Sequence, residues 1–228
     1  MESKNKIEIF PLIVMVLVLI LTNSCKKDEE PPVIKDSDGN VYTSVTIGTQ
    51  VWMVENLKTT KLNDGSTITY ITDDNEWDKL ITPGFGWWDN DKANYKDPYG
   101  AYYNWETVKS GKLCPSGWHV PSDTEWAKLI SYLGGENVAG GKLKETGTAH
   151  WESPNTGATN ETGFTLVGGG FRNWYGSYTD FGTSSVLWSS TEYDAEQAWA
   201  VWCSNWSTEA GRAYIHKTAG YNVRCLKN

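Results

Sequence analysis

The sequence predicts an α+β domain, loop-rich, built on an antiparallel sheet with one or two short helices. Three observations carry that prediction. Short β-prone runs at residues 41–47 and after residue 198 are bounded by Gly, Asn and Asp. One amphipathic segment with clear start and stop signals lies between them, from Ser122 to Gly134. The 22 glycines, 13 tryptophans and 12 tyrosines describe a globular chain of turns and aromatics rather than one of long helices.

Taken in order, the chain begins with Lys4 and Lys6 and an apolar run over residues 9–21, broken in character only by Pro11. That run has the length of a signal-peptide core and is too short to span a bilayer comfortably. Thr22-Asn23-Ser24-Cys25 resembles the looser lipoboxes of Bacteroidetes-type bacteria, in which the cysteine is acylated and becomes the new N-terminus. Cys25-Lys26-Lys27-Asp28-Glu29-Glu30 resembles their signal for export to the outer face of the outer membrane. We therefore expect residues 1–24 to be a lipoprotein signal peptide, Cys25 to be lipidated, and residues 25–35, with Pro31-Pro32, to be an acidic tether. Each buried acyl methylene adds about 0.8 kcal/mol, so a multiply acylated Cys25 would hold the domain at a membrane.

The charge of −8 is unchanged by removing residues 1–24, because Lys4 and Lys6 cancel Glu2 and Glu8. An acidic chain argues against nucleic acid as a partner and against adsorption to anionic lipid. Besides Cys25 there are Cys114, Cys203 and Cys225, an odd number for an oxidising compartment. Pairing Cys114 with Cys225 closes a loop of about a hundred residues and stabilises by roughly 4–5 kcal/mol. Cys203 competes for the same partner, and spacing leaves that open.

The folded part, residues 36–228, is expected to start at the turn Asp36-Ser37-Asp38-Gly39-Asn40. Val41, Thr43, Val45 and Ile47 alternate with Tyr42, Ser44 and Thr46, and Gly48-Thr49-Gln50 returns the chain into Val51-Trp52-Met53-Val54, giving a hairpin. Asn63-Asp64-Gly65 turns ahead of the β-prone Thr67-Ile68-Thr69-Tyr70-Ile71. Residues 72–97 show no sustained period and read as mostly loop. Ser122 with Glu125 forms a capping box, and Trp126, Leu129, Ile130 and Leu133 make the buried stripe of the helix. Residues 198–204, 212–217 and 221–226 read as a final β-meander.

Six ordered motifs then carry a resemblance. They are Gln50-Val51-Trp52-Met53-Val54-Glu55-Asn56-Leu57-Lys58-Thr59-Thr60, Tyr99-Gly100-Ala101-Tyr102-Tyr103-Asn104-Trp105, and Leu113-Cys114-Pro115-Ser116-Gly117-Trp118-His119-Val120-Pro121-Ser122-Asp123-Thr124-Glu125-Trp126. Gly169-Gly170-Phe171-Arg172, Leu187-Trp188-Ser189-Ser190-Thr191-Glu192 and Val223-Arg224-Cys225 complete the order. Together they resemble the Fibrobacter succinogenes major paralogous domain, a family of bacterial surface lipoproteins, from about residue 36 to residue 228. That family is similar to the formylglycine-generating-enzyme fold, a C-type-lectin-like architecture. The resemblance implies a fold and a place at the cell surface. It implies no activity.

Catalysis is not expected. The chain lacks a Gly-x-Ser-x-Gly elbow, a phosphate-cradling glycine loop and a His-Glu-x-x-His helix. His119, His150 and His216 have no ligand spacing, and His119, beside the helix cap, suits a structural hydrogen bond. Formylglycine chemistry uses two close cysteines, and Cys203 has no neighbour in sequence. No cofactor and no metal site is expected, with calcium alone left open by Asp73-Asp74-Asn75-Glu76 and Asp89-Asn90-Asp91, given help from elsewhere. The sharper candidates are aromatic. Sugar rings stack their C–H faces on Trp and Tyr while Asp, Asn or Arg bond the hydroxyls. Trp87, Trp88, Asp89 and Asp91 in one segment, Arg172, Trp174 and Tyr175 in another, and Trp206 have that composition. The expected function is non-catalytic, lectin-like recognition of glycan or polysaccharide. The alternatives are a protein–protein assembly component of the envelope and, third, a divergent enzyme of the formylglycine-generating fold.

Overall fold

The computed structural model describes residues 33–228, so the expected signal peptide, Cys25 and most of the expected tether lie outside the described residues. Ile34–Lys35 (β1) pair with Val41–Tyr42 (β2), so the folded chain begins inside the segment expected to be tether. The turn between them is held by the Asp36 carboxylate, which accepts from the backbone N–H groups of Asp38 and Asn40, both at 2.9 Å. The expected hairpin follows as Ser44–Ile47 (β3) and Gln50–Met53 (β4), in the register Val45↔Trp52.

Thr69–Tyr70 (β5) comes next, and the segment expected to be loop holds regular elements. These are Asp74–Asp78 (α1), Gly84–Gly86 (β6), a 3₁₀ turn at Trp88–Asn90 and Lys92–Tyr99 (α2). They escape a periodicity argument because they are short and held by caps: the Asp73 side chain accepts from the Glu76 N–H and Asp91 from the Asn94 N–H. Then follow Tyr102–Tyr103 (β7), Trp105–Lys109 (α3), Trp118–His119 (β8), Asp123–Tyr132 (α4) and Glu136–Leu143 (α5). The described helices therefore exceed the one or two expected. α4 is the expected one, and both halves of its Ser122–Glu125 capping box are formed. In α5, Gly140 packs against the Glu209 carbonyl so closely that no Cβ would fit.

Phe171–Arg172 (β9) and Tyr178–Thr179 (β10) make a small hairpin. Ser184–Glu192 (β11), Gln197–Ser204 (β12) and Ala210–His216 (β13) form an antiparallel meander with β13 outermost. Its third expected strand touches it only through a parallel bridge between Asn222 and Leu187 of β11. Leu226–Lys227 (β14) instead enters a four-stranded sheet of order β3-β4-β14-β8, pairing Leu226 with Trp52 and with His119. A further sheet, β5-β6-β7, includes one parallel pair, β5 with β6, against the antiparallel expectation. The coarse class is α+β.

Two apolar cores flank these strands. Met53, Val186, Trp188 and Ala200 enter one, and Trp52, Leu187, Val201 and Cys203 enter the other. Neighbours on a strand face opposite sides, so a strand between two cores buries both. A disulfide joins Cys114 to Cys225 across 111 residues and ties the closing segment to the middle of the chain; Cys203 is a buried free thiol.

Candidate ligand-binding site

Three loops converge on an open cleft of about 730 Å³, lined by Thr72, Asp73, Asp74, Asn75, Trp88, Asp89, Asn90, Ser177 and Tyr178. Arg172 builds its frame. The side chain is fully buried, lies over Trp77 at 4.2 Å and Tyr178 at 5.0 Å, and donates to the Ile71 carbonyl at 2.6 Å and to the Gly176 carbonyl. It also donates to Asp74 Oδ1 at 3.2 Å, while Ser177 Oγ donates to Asp74 Oδ2 at 3.1 Å. One buried guanidinium thus joins the 71–74 segment to the β9–β10 hairpin. It was expected to touch ligand; the structure gives it a positioning role, because none of its surface is accessible.

Trp88 is half-buried, its ring 4.6 Å from Phe181 and 5.3 Å from Tyr178, so the cleft wall is an aromatic stack fixed from behind. Asp89 and Asn90 both have positive φ, 48° and 58°. Asp and Asn tolerate that region better than other side-chain residues. Asn90 is pinned by its amide donating to the Thr72 carbonyl and by its own carbonyl accepting from the Tyr70 hydroxyl, both at 3.1 Å. The result presents Asp89 outward, exposed, beside exposed Asp73 and Asn75. Burial pushes the Tyr178 phenol above its ordinary range; the hydroxyl lies against Gly86 with no hydrogen-bond partner among the described residues.

The other expected contacts are distributed elsewhere. Trp87 is 2 % exposed and belongs to the core with Phe85, contrary to its expected role. It faces a second, more apolar groove of about 670 Å³ that shares Asn90 with the cleft, with Lys92 set over its ring at 5.9 Å. Asp91 caps α2, where the Asn94 amide holds its carboxyl below the ordinary range, so it does not line the cleft. Trp174 and Tyr175 are exposed at the hairpin tip, and Trp206 is exposed on the β12–β13 turn; none of the three lines the cleft. Sequence reasoning missed a further exposed group, Tyr193 with Tyr214, around Trp199. Its period-two spacing, Tyr214 and His216 on β13, was the available signal.

The acidic stretches Asp73-Asp74-Asn75 and Asp89-Asn90 do meet, from opposite walls. Among the described residues no three His, Cys, Asp or Glu side chains group as a metal site. His119 has the expected structural bonds, Nδ1 to Asn228 at 2.7 Å and Nε2 to Glu125 at 3.0 Å.

Residues 45–227 match the family described as the Fibrobacter succinogenes major domain, and the chain belongs to that family. No curated protein and no solved structure matches it.

Proposed function

We propose that this chain is a cell-surface lipoprotein whose domain is a non-catalytic, lectin-like recognition module, and that it holds a saccharide in the cleft at Trp88 and Asp89. The observation that carries the reading is the joining of an aromatic wall, Trp88 and Tyr178, to outward carboxylate and amide groups from two separate loops. A sugar ring laid on the Trp88 indole would turn its hydroxyls toward Asp89, Asn75 and the free oxygen of Asp73. The lipobox-like segment ending at Cys25 supports anchoring to the outer membrane, facing outward. The closing Val223-Arg224-Cys225 motif, set by β14 between β4 and β8, supports the C-type-lectin-like architecture. A non-catalytic role is supported by the state of Cys203: burial pushes its thiol up to about 12, and the other two described cysteines are bridged to each other.

A glycan array probed with the protein, with and without calcium, tests this. The expected result is binding to a restricted set of saccharides, weakened roughly tenfold or more by Asp89→Asn and by Trp88→Ala. Asparagine keeps the positive-φ backbone, so the near-ultraviolet circular dichroism of Asp89→Asn should match the parent. Loss of binding on removing calcium would add a cation to the acidic walls. An array without specific binding, or binding indifferent to both substitutions, sinks the reading.

A further inference from the structure

We infer that the outer strand of the meander carries a second, extended binding surface: a file of aromatic rings that takes an uncharged polysaccharide chain. The inference rests on the saccharide reading of the cleft for its ligand chemistry, and adds that the ligand is a polymer.

The file runs along β13. At the tip of the β9–β10 hairpin, the Tyr175 and Trp174 rings are 5.3 Å apart, and Trp174 is 5.4 Å from His216. His216 and Tyr214 are two residues apart on a strand and share a face. Tyr214 lies 4.1 Å from Tyr193, with the planes only 6° apart. Trp199, paired directly with Tyr214 across the sheet, sets its ring edge-on to both at 5.7 Å. Exposure of 64 % for Tyr175, 38 % for Trp174 and 48 % for Tyr193 and Tyr214 is high for such large rings and leaves part of each in water, although Tyr193 and Tyr214 cover one face of each other.

Three features favour a neutral glycan chain. The exposed file is aromatic, which suits the C–H faces of sugar rings. Its cations are already committed: Arg212 to Asp123 at 2.8 Å and Glu136 at 3.3 Å, Lys217 to Glu192 and two carbonyls. With a chain charge of −8, nothing there attracts a polyanion. Finally, the hairpin belongs to both surfaces. Ser177 and Tyr178 line the cleft and Trp174 and Tyr175 form the tip, so a chain seated in the cleft leaves over the tip onto β13. Weak stacking contacts in series then gain strength with ligand length.

The test compares ligand lengths. The full chain in nonionic detergent is run through native gels containing β-glucan, xyloglucan, galactomannan or, as the charged control, alginate, and its affinity for two-unit and eight-unit fragments of the same neutral polymers is measured by calorimetry. The variant Trp174→Leu/Tyr214→Leu keeps apolar bulk at exposed positions but removes the ring faces; Asp89→Asn probes the cleft. A thermal melt of each variant matching the parent shows that it is folded. We expect one neutral polymer to be retained, the polymer to bind at least roughly tenfold tighter than the two-unit fragment, and the leucine pair to erase that gain while leaving the two-unit affinity unchanged. Polymer retention lost in the leucine pair but indifferent to Asp89→Asn, with no two-unit binding, supports the file and overturns the cleft. Two-unit binding that needs Asp89, with retention indifferent to the leucine pair, overturns the file and keeps the cleft. Preference for alginate overturns the neutral-chain inference. Absence of retention in the parent overturns both, and if the parent also self-associates through a surface lost in the leucine pair, the file is a protein interface, continued by exposed Ile81 in the groove beside His216.

Discussion

Arg224, beside the closing strand, and Arg172, beneath the cleft, are both buried, at 1 % and 0 % exposure, yet their surroundings differ. Arg224 spends its guanidinium on Asn56 Oδ1, at 2.8 and 3.2 Å, and on the Phe164 carbonyl, all inside the fold, and burial lowers its pKa to about 9. Arg172 spends its guanidinium on a segment whose other groups face outward. The same contrast extends to the tryptophans. Around the two cores the indole N–H of Trp188 donates to the Tyr103 carbonyl at 2.7 Å and that of Trp126 to the Trp188 carbonyl at 3.3 Å. Around the hairpin, Trp88 and Trp174 pack against other rings and keep part of their faces in water. The core side spends most of its polar groups internally, the buried Trp52 indole N–H being an exception without a partner among the described residues, and the hairpin side keeps carboxylates and amides in water. A buried cation or a tryptophan is structural or ligand-facing according to what its neighbours have left to offer.

Breaking the closed side should therefore be costly in stability. The largest effect is expected from Cys114→Ser/Cys225→Ser, which removes a cross-link spanning 111 residues. In the chain-entropy picture that lowers unfolding free energy by about 4–5 kcal/mol, read as a lower midpoint in urea. A midpoint unchanged from the parent would mean that β14 holds its place in the sheet without the bridge. Next comes Lys144→Met. Its buried ammonium donates to the carbonyls of Thr156, Ser204 and Ser207 at 3.0, 2.8 and 2.8 Å, and methionine leaves all three without that donor. The expected loss is about 3 kcal/mol, measured by the same titration. A loss below about 1 kcal/mol would show that water replaces the ammonium there.

Much of the closed side was legible in the chain. Ser122, Glu125 and the stripe from Trp126 to Leu133 gave α4 because a cap and a one-sided apolar pattern are local properties. The Cys114–Cys225 bridge stood among the sequence alternatives, and Cys203 leaves the choice only through its tertiary burial in the second core. β11 was not read as a strand, since Val186 and Leu187 enter opposite cores and leave no alternation to detect. The site was half legible. Trp87 and Trp88 are adjacent and chemically identical, and no local signal tells which one the core takes. Arg172 has the composition of a ligand contact, but its partners Ile71 and Asp74 are about a hundred residues away in sequence, so its burial is a tertiary fact. The pairing of Tyr193 with Tyr214 depends likewise on strand register.

The smallest effect sharpens the comparison at the rim of the closed side, where a half-exposed charge is still committed internally. Burial tends to raise the pKa of Glu125, but hydrogen bonds from the Ser122 N–H and hydroxyl and from His119 outweigh it and hold the carboxyl below its ordinary value of 4.5. A depressed carboxylate contributes stability that is fully present above the unfolded-state value and is lost as pH falls through the folded-state one. Glu125→Gln keeps the shape of the cap and removes the charge, so it should cost about 0.5–1 kcal/mol at pH 7 after allowance for solvent screening. As pH falls below the ordinary value the gap narrows, and it closes only once the parent carboxyl is protonated in the folded state. Thermal melts of both proteins in a series from pH 7 into acid decide it. Curves that converge in acid assign the loss to the carboxylate's charge. A gap that persists there assigns it to the altered geometry of the cap, and α4 would then owe its start to shape rather than to charge.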